Sequence, residues 1–198
     1  MLWNRNLSIA SCIATLVIAT IAVADDLSVP GPYSAGWTEV QVTRPNRSTF
    51  TATLWYPATS PGQDAPVDAS GGPYPAVSFG HGYLQAVSQY ESTLEHLATW
   101  GYFAVASQSA GGLFPNHAAF ADDLSACLTW LEQQNANAGS DLFQLVDINR
   151  FGLSGHSMGG GASILAAADD PRIKALANLA AADTNPSAIS AMSQVDAP

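Results

Sequence analysis

The readable part of the chain opens with alternation. Between Trp37 and Arg44, Val40 and Val42 alternate with Glu39 and Gln41, the two-residue period of a half-buried strand. Phe50 to Tyr56 alternates again and stops at Pro57, so the two runs predict an antiparallel pair. Pro61 to Pro75, rich in proline and aspartate, reads as a surface loop. Ala76-Val77-Ser78-Phe79 is a short apolar strand that ends at Gly80-His81-Gly82. The period then changes. Tyr90, Leu94, Leu97 and Trp100 share one helical face, and Gly101 closes the helix. A buried strand follows at Phe103–Ala106. His117 to Gln134 is helical, with Phe120, Leu124, Leu128 and Leu131 inward. Phe151–Leu153 is strand, Ser157–Ala168 a helix of small residues, and Lys174–Ala181 a further apolar strand. Six strands are expected, near 37–43, 50–56, 76–79, 103–107, 150–153 and 175–181. Strands alternating with helices after an antiparallel start predict an α/β sandwich around a mostly parallel sheet.

Composition narrows the partners. Hydrophobic residues make up 47% of the 198 residues and charged ones 11%, too apolar for a disordered chain. Six basic against sixteen acidic residues give a net charge of −10, which repels phosphate backbones and anionic membranes. No nucleic-acid partner is expected, and no membrane partner for the mature chain.

The N-terminus reads as a targeting segment. Arg5 is followed by an uncharged apolar run from Leu7 to Val23 and by Ala22-Val23-Ala24, an A-x-A cleavage site before Asp25. Residues 1–24 are expected to be a secretory signal peptide, with residues 25–198 the domain and the protein secreted or periplasmic. Cleavage removes Cys12 and leaves Cys127 alone, on the apolar face of a helix, where a buried structural thiol is expected.

The segment that carries chemistry is Gly155-His156-Ser157-Met158-Gly159, a G-x-S-x-G sequence. The bare motif is common. Its setting is specific: a short apolar strand precedes it and a helix follows, which is what a nucleophile elbow requires. Ser157 then sits on a strained turn with its hydroxyl above the sheet. The helix behind it aims free N–H groups at developing negative charge, the Met158 N–H first. A second donor is expected from the loop after the Ala76–Phe79 strand, where Gly82 lets the backbone turn inward and Tyr83 presents its N–H.

Phe79-Gly80-His81-Gly82-Tyr83, Gly101-Tyr102-Phe103-Ala104-Val105 and Gly155-His156-Ser157-Met158-Gly159-Gly160-Gly161 together resemble α/β-hydrolases. The nearest likeness is to bacterial cutinase-like polyester hydrolases, with chlorophyllase-like and dienelactone-hydrolase-like enzymes nearby. It covers about residues 30 to 182. The resemblance implies an α/β-hydrolase sandwich, incomplete at its C-terminal end. It implies a serine carboxylic-ester hydrolase working through an acyl-enzyme, with an ester or polyester substrate and no metal or cofactor. Tyr83 and Met158 match positions that line the acyl site in such enzymes. The family often carries a Trp just after the strand that follows the elbow helix. Here Leu179-Ala180-Ala181-Ala182-Asp183-Thr184-Asn185-Pro186 has no aromatic, so a smaller ester is equally compatible.

A triad also needs an acid and a base, in the order Ser, Asp or Glu, His. All four histidines, His81, His96, His117 and His156, precede Ser157. His81 and His156 are expected to brace their turns, His96 to be solvated, and His117 to cap the second helix. Asp169-Asp170 reads as a solvated helix end. Asp183 follows the strand after the elbow, one strand earlier than the family's usual acid. The acid and base are therefore expected beyond Pro198. Two rivals share the fold: a non-catalytic binding protein that lacks a base, and a serine peptidase.

Overall fold

The computed structural model describes residues 25–198; the expected signal peptide and Cys12 lie outside them. Two ten-residue strands, β1 (Ser34–Thr43) and β2 (Thr49–Ala58), pair antiparallel from Ser34 opposite Ala58 to Thr43 opposite Thr49, the predicted pairing. Trp37 stacks on Trp55 across that pair, with ring centroids 6.0 Å apart. The loop after β2 contributes a two-residue strand, β3 (Gly62–Gln63), which runs parallel to β1. Polar and brief, it leaves no hydrophobic signal.

The remaining strands form the parallel half of the sheet. They are β4 (Tyr74–Gly80), β5 (Phe103–Ser107), β6 (Val146–His156) and β7 (Ile173–Leu179), and the order across the sheet is β3-β1-β2-β5-β4-β6-β7. The helices are α1 (Glu91–Thr99), α2 (His117–Ala136), α3 (Met158–Asp169) and a single turn, α4 (Ala188–Ala191). This is the expected α/β architecture with a mostly parallel sheet.

Side-chain size sorts the two faces. On β5, Phe103 and Val105 join the core beneath α2 and α3, whereas Ala104 and Ala106 join the smaller cluster beneath α1 with Trp55, Phe79, Leu94 and Ala98. α2 buries Phe120, Leu124, Cys127, Leu128 and Leu131 and starts at Asn116, whose side-chain oxygen accepts the Ala119 N–H at 3.0 Å. The cap is therefore Asn116, and His117 is the first helical residue. Cys127 is fully buried, and burial pushes its thiol pKa far up, as befits a structural thiol. α3 is buried from Met158 through Ala167, so its small residues let it sink into the layer instead of lying on it.

Two further expectations need correction. β6 begins at Val146 and not near residue 150, because Ile148, Asn149 and Arg150 run exposed along the sheet end and so lack apolar periodicity. Asp170 is not a solvated helix end. It is 8% exposed and paired with Arg172 at 2.7 Å, and Arg172 also reaches Glu132 at 2.5 Å and lies over the Phe151 ring. Burial opposes the ionised form of Asp170, but the hydrogen bonds and charge of Arg172 outweigh it and hold its pKa below the ordinary carboxylate value. β7 ends the sheet, with Ala175, Ala177 and Leu179 exposed, and the Leu176 N–H on its edge donates to the Pro198 carbonyl at 3.0 Å.

Candidate active site

Ser157 stands between the last residue of β6 and the first of α3 with φ 51° and ψ −115°. A non-glycine residue in that region costs on the order of 1–3 kcal/mol and persists only where its surroundings hold it. Three backbone bonds hold this one. The Ser157 N–H donates to Leu179 at 3.0 Å, and the Ser157 carbonyl accepts from Gly161 at 3.1 Å and Ala182 at 2.9 Å. The strained turn is thereby pinned to the end of β7.

Close backbone approach explains the glycines after the serine. A Cβ on Gly159 would stand 2.1 Å from the Gly80 carbonyl oxygen, so α3 can start directly beside the end of β4 only without a side chain there. The contact brings the loop after β4 next to Ser157. In that loop the His81 ring is 1% exposed, and its two nitrogens lie 2.8 and 2.6 Å from the Gly82 and Ser109 carbonyl oxygens. Tyr83 is half exposed, and its hydroxyl donates to the Leu113 carbonyl at 2.8 Å.

Ser157, Met158 and Tyr83 line one open cavity of about 440 Å³. The three residues singled out from sequence are thus brought together. Met158 is buried at the first helical position, where the backbone N–H has no partner within the helix. The cavity wall is mostly apolar: Leu113, Phe114 and Pro115 on one side, Met158 and Ala182 on the other. Phe114 is 95% exposed. This loop was not singled out from sequence; its signal was two large apolar residues inside a Gly-Gly to Pro-Asn turn. Larger clefts of about 670 and 990 Å³ open elsewhere, along β1, β2 and α2, and neither includes Ser157.

A protein-family model described as PET hydrolase-like matches residues 28–198. The chain belongs to the PET hydrolase-like family. The chemistry of that family is hydrolysis of esters, and the seven-stranded sheet agrees with its fold. No curated protein matches the chain.

Two more residues of this PET hydrolase-like chain face the same cavity, His117 and Asp183. Each is committed elsewhere. The His117 Nδ1 accepts the Asn185 N–H at 3.1 Å, which places the ring hydrogen on Nε2 in the neutral form and makes that nitrogen a donor. The Asp183 carboxylate accepts from the Ser187 hydroxyl at 2.9 Å and from the Thr184 and Ile189 N–H groups. Those bonds, the Ile189 N–H foremost, lower its pKa, and its place is at the start of α4. His96 lies far along α1 with Nε2 3.0 Å from the Leu27 carbonyl oxygen. Among the described residues, none hydrogen-bonds the Ser157 hydroxyl. His156 points away from the cavity, its Nδ1 2.8 Å from the Tyr90 hydroxyl.

Proposed function

We propose that the protein is a secreted serine carboxylic-ester hydrolase in which Ser157 is the nucleophile. The Ser157 hydroxyl oxygen bonds to the ester carbonyl carbon and the carbonyl oxygen takes the negative charge. The ester C–O bond then breaks as the serine's proton passes to the departing alcohol, and water hydrolyses the acyl-serine to the carboxylic acid and free Ser157. The Met158 and Tyr83 N–H groups receive the oxyanion. Tyr83, Met158 and the Leu113–Pro115 loop hold the acyl group. Ala182 on the opposite wall supplies no aromatic clamp, so a small ester and a polymeric one are equally compatible with the cavity.

The observation that carries this reading is the strained backbone of Ser157, which sits at a helix N-terminus in a cavity shared with Tyr83 and Met158. A fluorophosphonate ester tests it. The reagent should add to Ser157 and to no other serine, as read by peptide mass spectrometry. An unlabelled Ser157 after long exposure would leave the elbow without chemistry.

One observation favours a second reading, a binding protein on the same scaffold. The Ser157 hydroxyl has no described histidine bonded to it, and His117 presents a donor. That reading expects aromatic esters to bind in the cavity and remain intact.

A further inference from the structure

We infer that Tyr90 is a positioning residue for ester hydrolysis, tying the oxyanion loop to the nucleophile elbow; this rests on the reading of Ser157 just given. The Gly82 N–H donates to the Tyr90 hydroxyl at 3.0 Å, and His156, the residue before the nucleophile, places its Nδ1 2.8 Å from the same oxygen. The Gln85 side-chain oxygen is in contact with it as well. One hydroxyl therefore joins the residue before Tyr83 to the residue before Ser157.

The hydroxyl has one hydrogen and two lone pairs. Gly82 takes one lone pair. The hydrogen goes to the Gln85 oxygen, so His156 must carry a hydrogen on Nδ1 and donate it to the second lone pair. All three valences are used, and the group is largely sealed from water. The ring is 8% exposed and packs on Phe79 with centroids 4.9 Å apart. The crowding also accounts for Gly82. A Cβ there would lie 2.8 Å from the Gln85 oxygen, 2.9 Å from the His156 Nδ1 and 3.0 Å from the Tyr90 hydroxyl.

The role follows from where the two donors come from. The Met158 N–H belongs to the elbow and the Tyr83 N–H to the loop after β4, so their separation is set by whatever fixes one segment to the other. A side-chain tether from Gly82, one residue before Tyr83, to His156, two residues before Met158, does so. A shift of about 1 Å in a donor is felt only when the oxyanion forms, so the loss falls on kcat and not on KM.

Tyr90→Phe removes the hydroxyl and keeps the packed ring. In the full chain, the Ser157-dependent hydrolysis of p-nitrophenyl acetate should lose about 10- to 100-fold in kcat with KM within twofold. Amide hydrogen exchange at Gly82 should speed up at least about tenfold beyond what the fall in the thermal midpoint accounts for, because the Gly82 and His156 N–H groups lose their shared acceptor. A KM increase at constant kcat, or unchanged Gly82 exchange, would overturn the proposal. Ser157→Ala, run alongside, separates the two claims. If it abolishes turnover while Tyr90→Phe leaves kcat within twofold, the positioning role alone is wrong. If it leaves turnover intact, the reading of the site fails and the role with it. Should Tyr90→Phe fail to fold, Gln85→Met at the partly exposed end of the tether replaces it. The same loss confined to kcat, about threefold or more, is then expected, and no loss overturns the proposal.

Discussion

The carbonyl oxygen of Gly80 lies where a side chain on Gly159 would have to be: a Cβ there would approach it to 2.1 Å. Both partners are backbone, so neither can swing aside. Gly159→Ala must push α3 away from β4, separating the segment that carries Met158 from the one that carries Tyr83. The variant should lose about 1–3 kcal/mol of stability, read by denaturant unfolding, and ester turnover should fall further than stability does. A variant of wild-type stability would show that the approach is looser than the geometry states.

The Asp170–Arg172–Glu132 cluster ties the end of α3 to α2 beside the start of β7. Arg172→Met leaves the buried Asp170 carboxylate without its partner and should cost about 2–4 kcal/mol at neutral pH. The pH dependence fixes the sign. The Asp170 pKa is depressed in the folded protein, so its contribution is present above the unfolded value of about 4 and is lost as pH falls through the folded value. In Arg172→Met the same carboxyl, now unpaired, is relieved by protonation. The stability gap between the two proteins should therefore be widest near pH 7 and close toward pH 3. A gap independent of pH would assign the cost to lost packing on Phe151.

His117 shares the cavity with Ser157 but offers it a donor. His117→Ala should change ester turnover by less than about threefold. With no described base on Ser157, the chain should hydrolyse activated esters only slowly, by attack of the Ser157 hydroxyl assisted by the oxyanion donors alone. A loss of a thousandfold or more in His117→Ala would show that the ring turns and serves as the base.

Much of this fold was legible because its core is local and periodic. The alternation through Val40 and Val42 and the Phe120, Leu124, Leu128, Leu131 stripe gave β1 and α2 nearly to their ends. The position of Ser157 was legible for another reason. Glycine on both sides of a serine between strand and helix leaves few backbone solutions. What escaped was set by contacts distant in sequence. Tyr90 reads as one apolar position of a helix, and its meaning comes from His156, 66 residues later. Asp170 looks like a solvated end until Arg172 folds back onto it and Glu132 approaches from α2. β3 and residues 148–150 of β6 lie at sheet margins in water, where no hydrophobic period is needed.

The central claim is that the strained serine performs the chemistry. The most direct measurement compares p-nitrophenyl acetate hydrolysis by the full chain and by Ser157→Ala, with circular dichroism confirming that both are folded. Ser157→Ala should fall at least about tenfold below the unaltered chain, keeping only what the oxyanion donors and binding lend to attacking water, while its thermal midpoint stays the same or rises slightly. Hydrolysis by Ser157→Ala at the rate of the unaltered chain would contradict the claim and leave the elbow a structural turn.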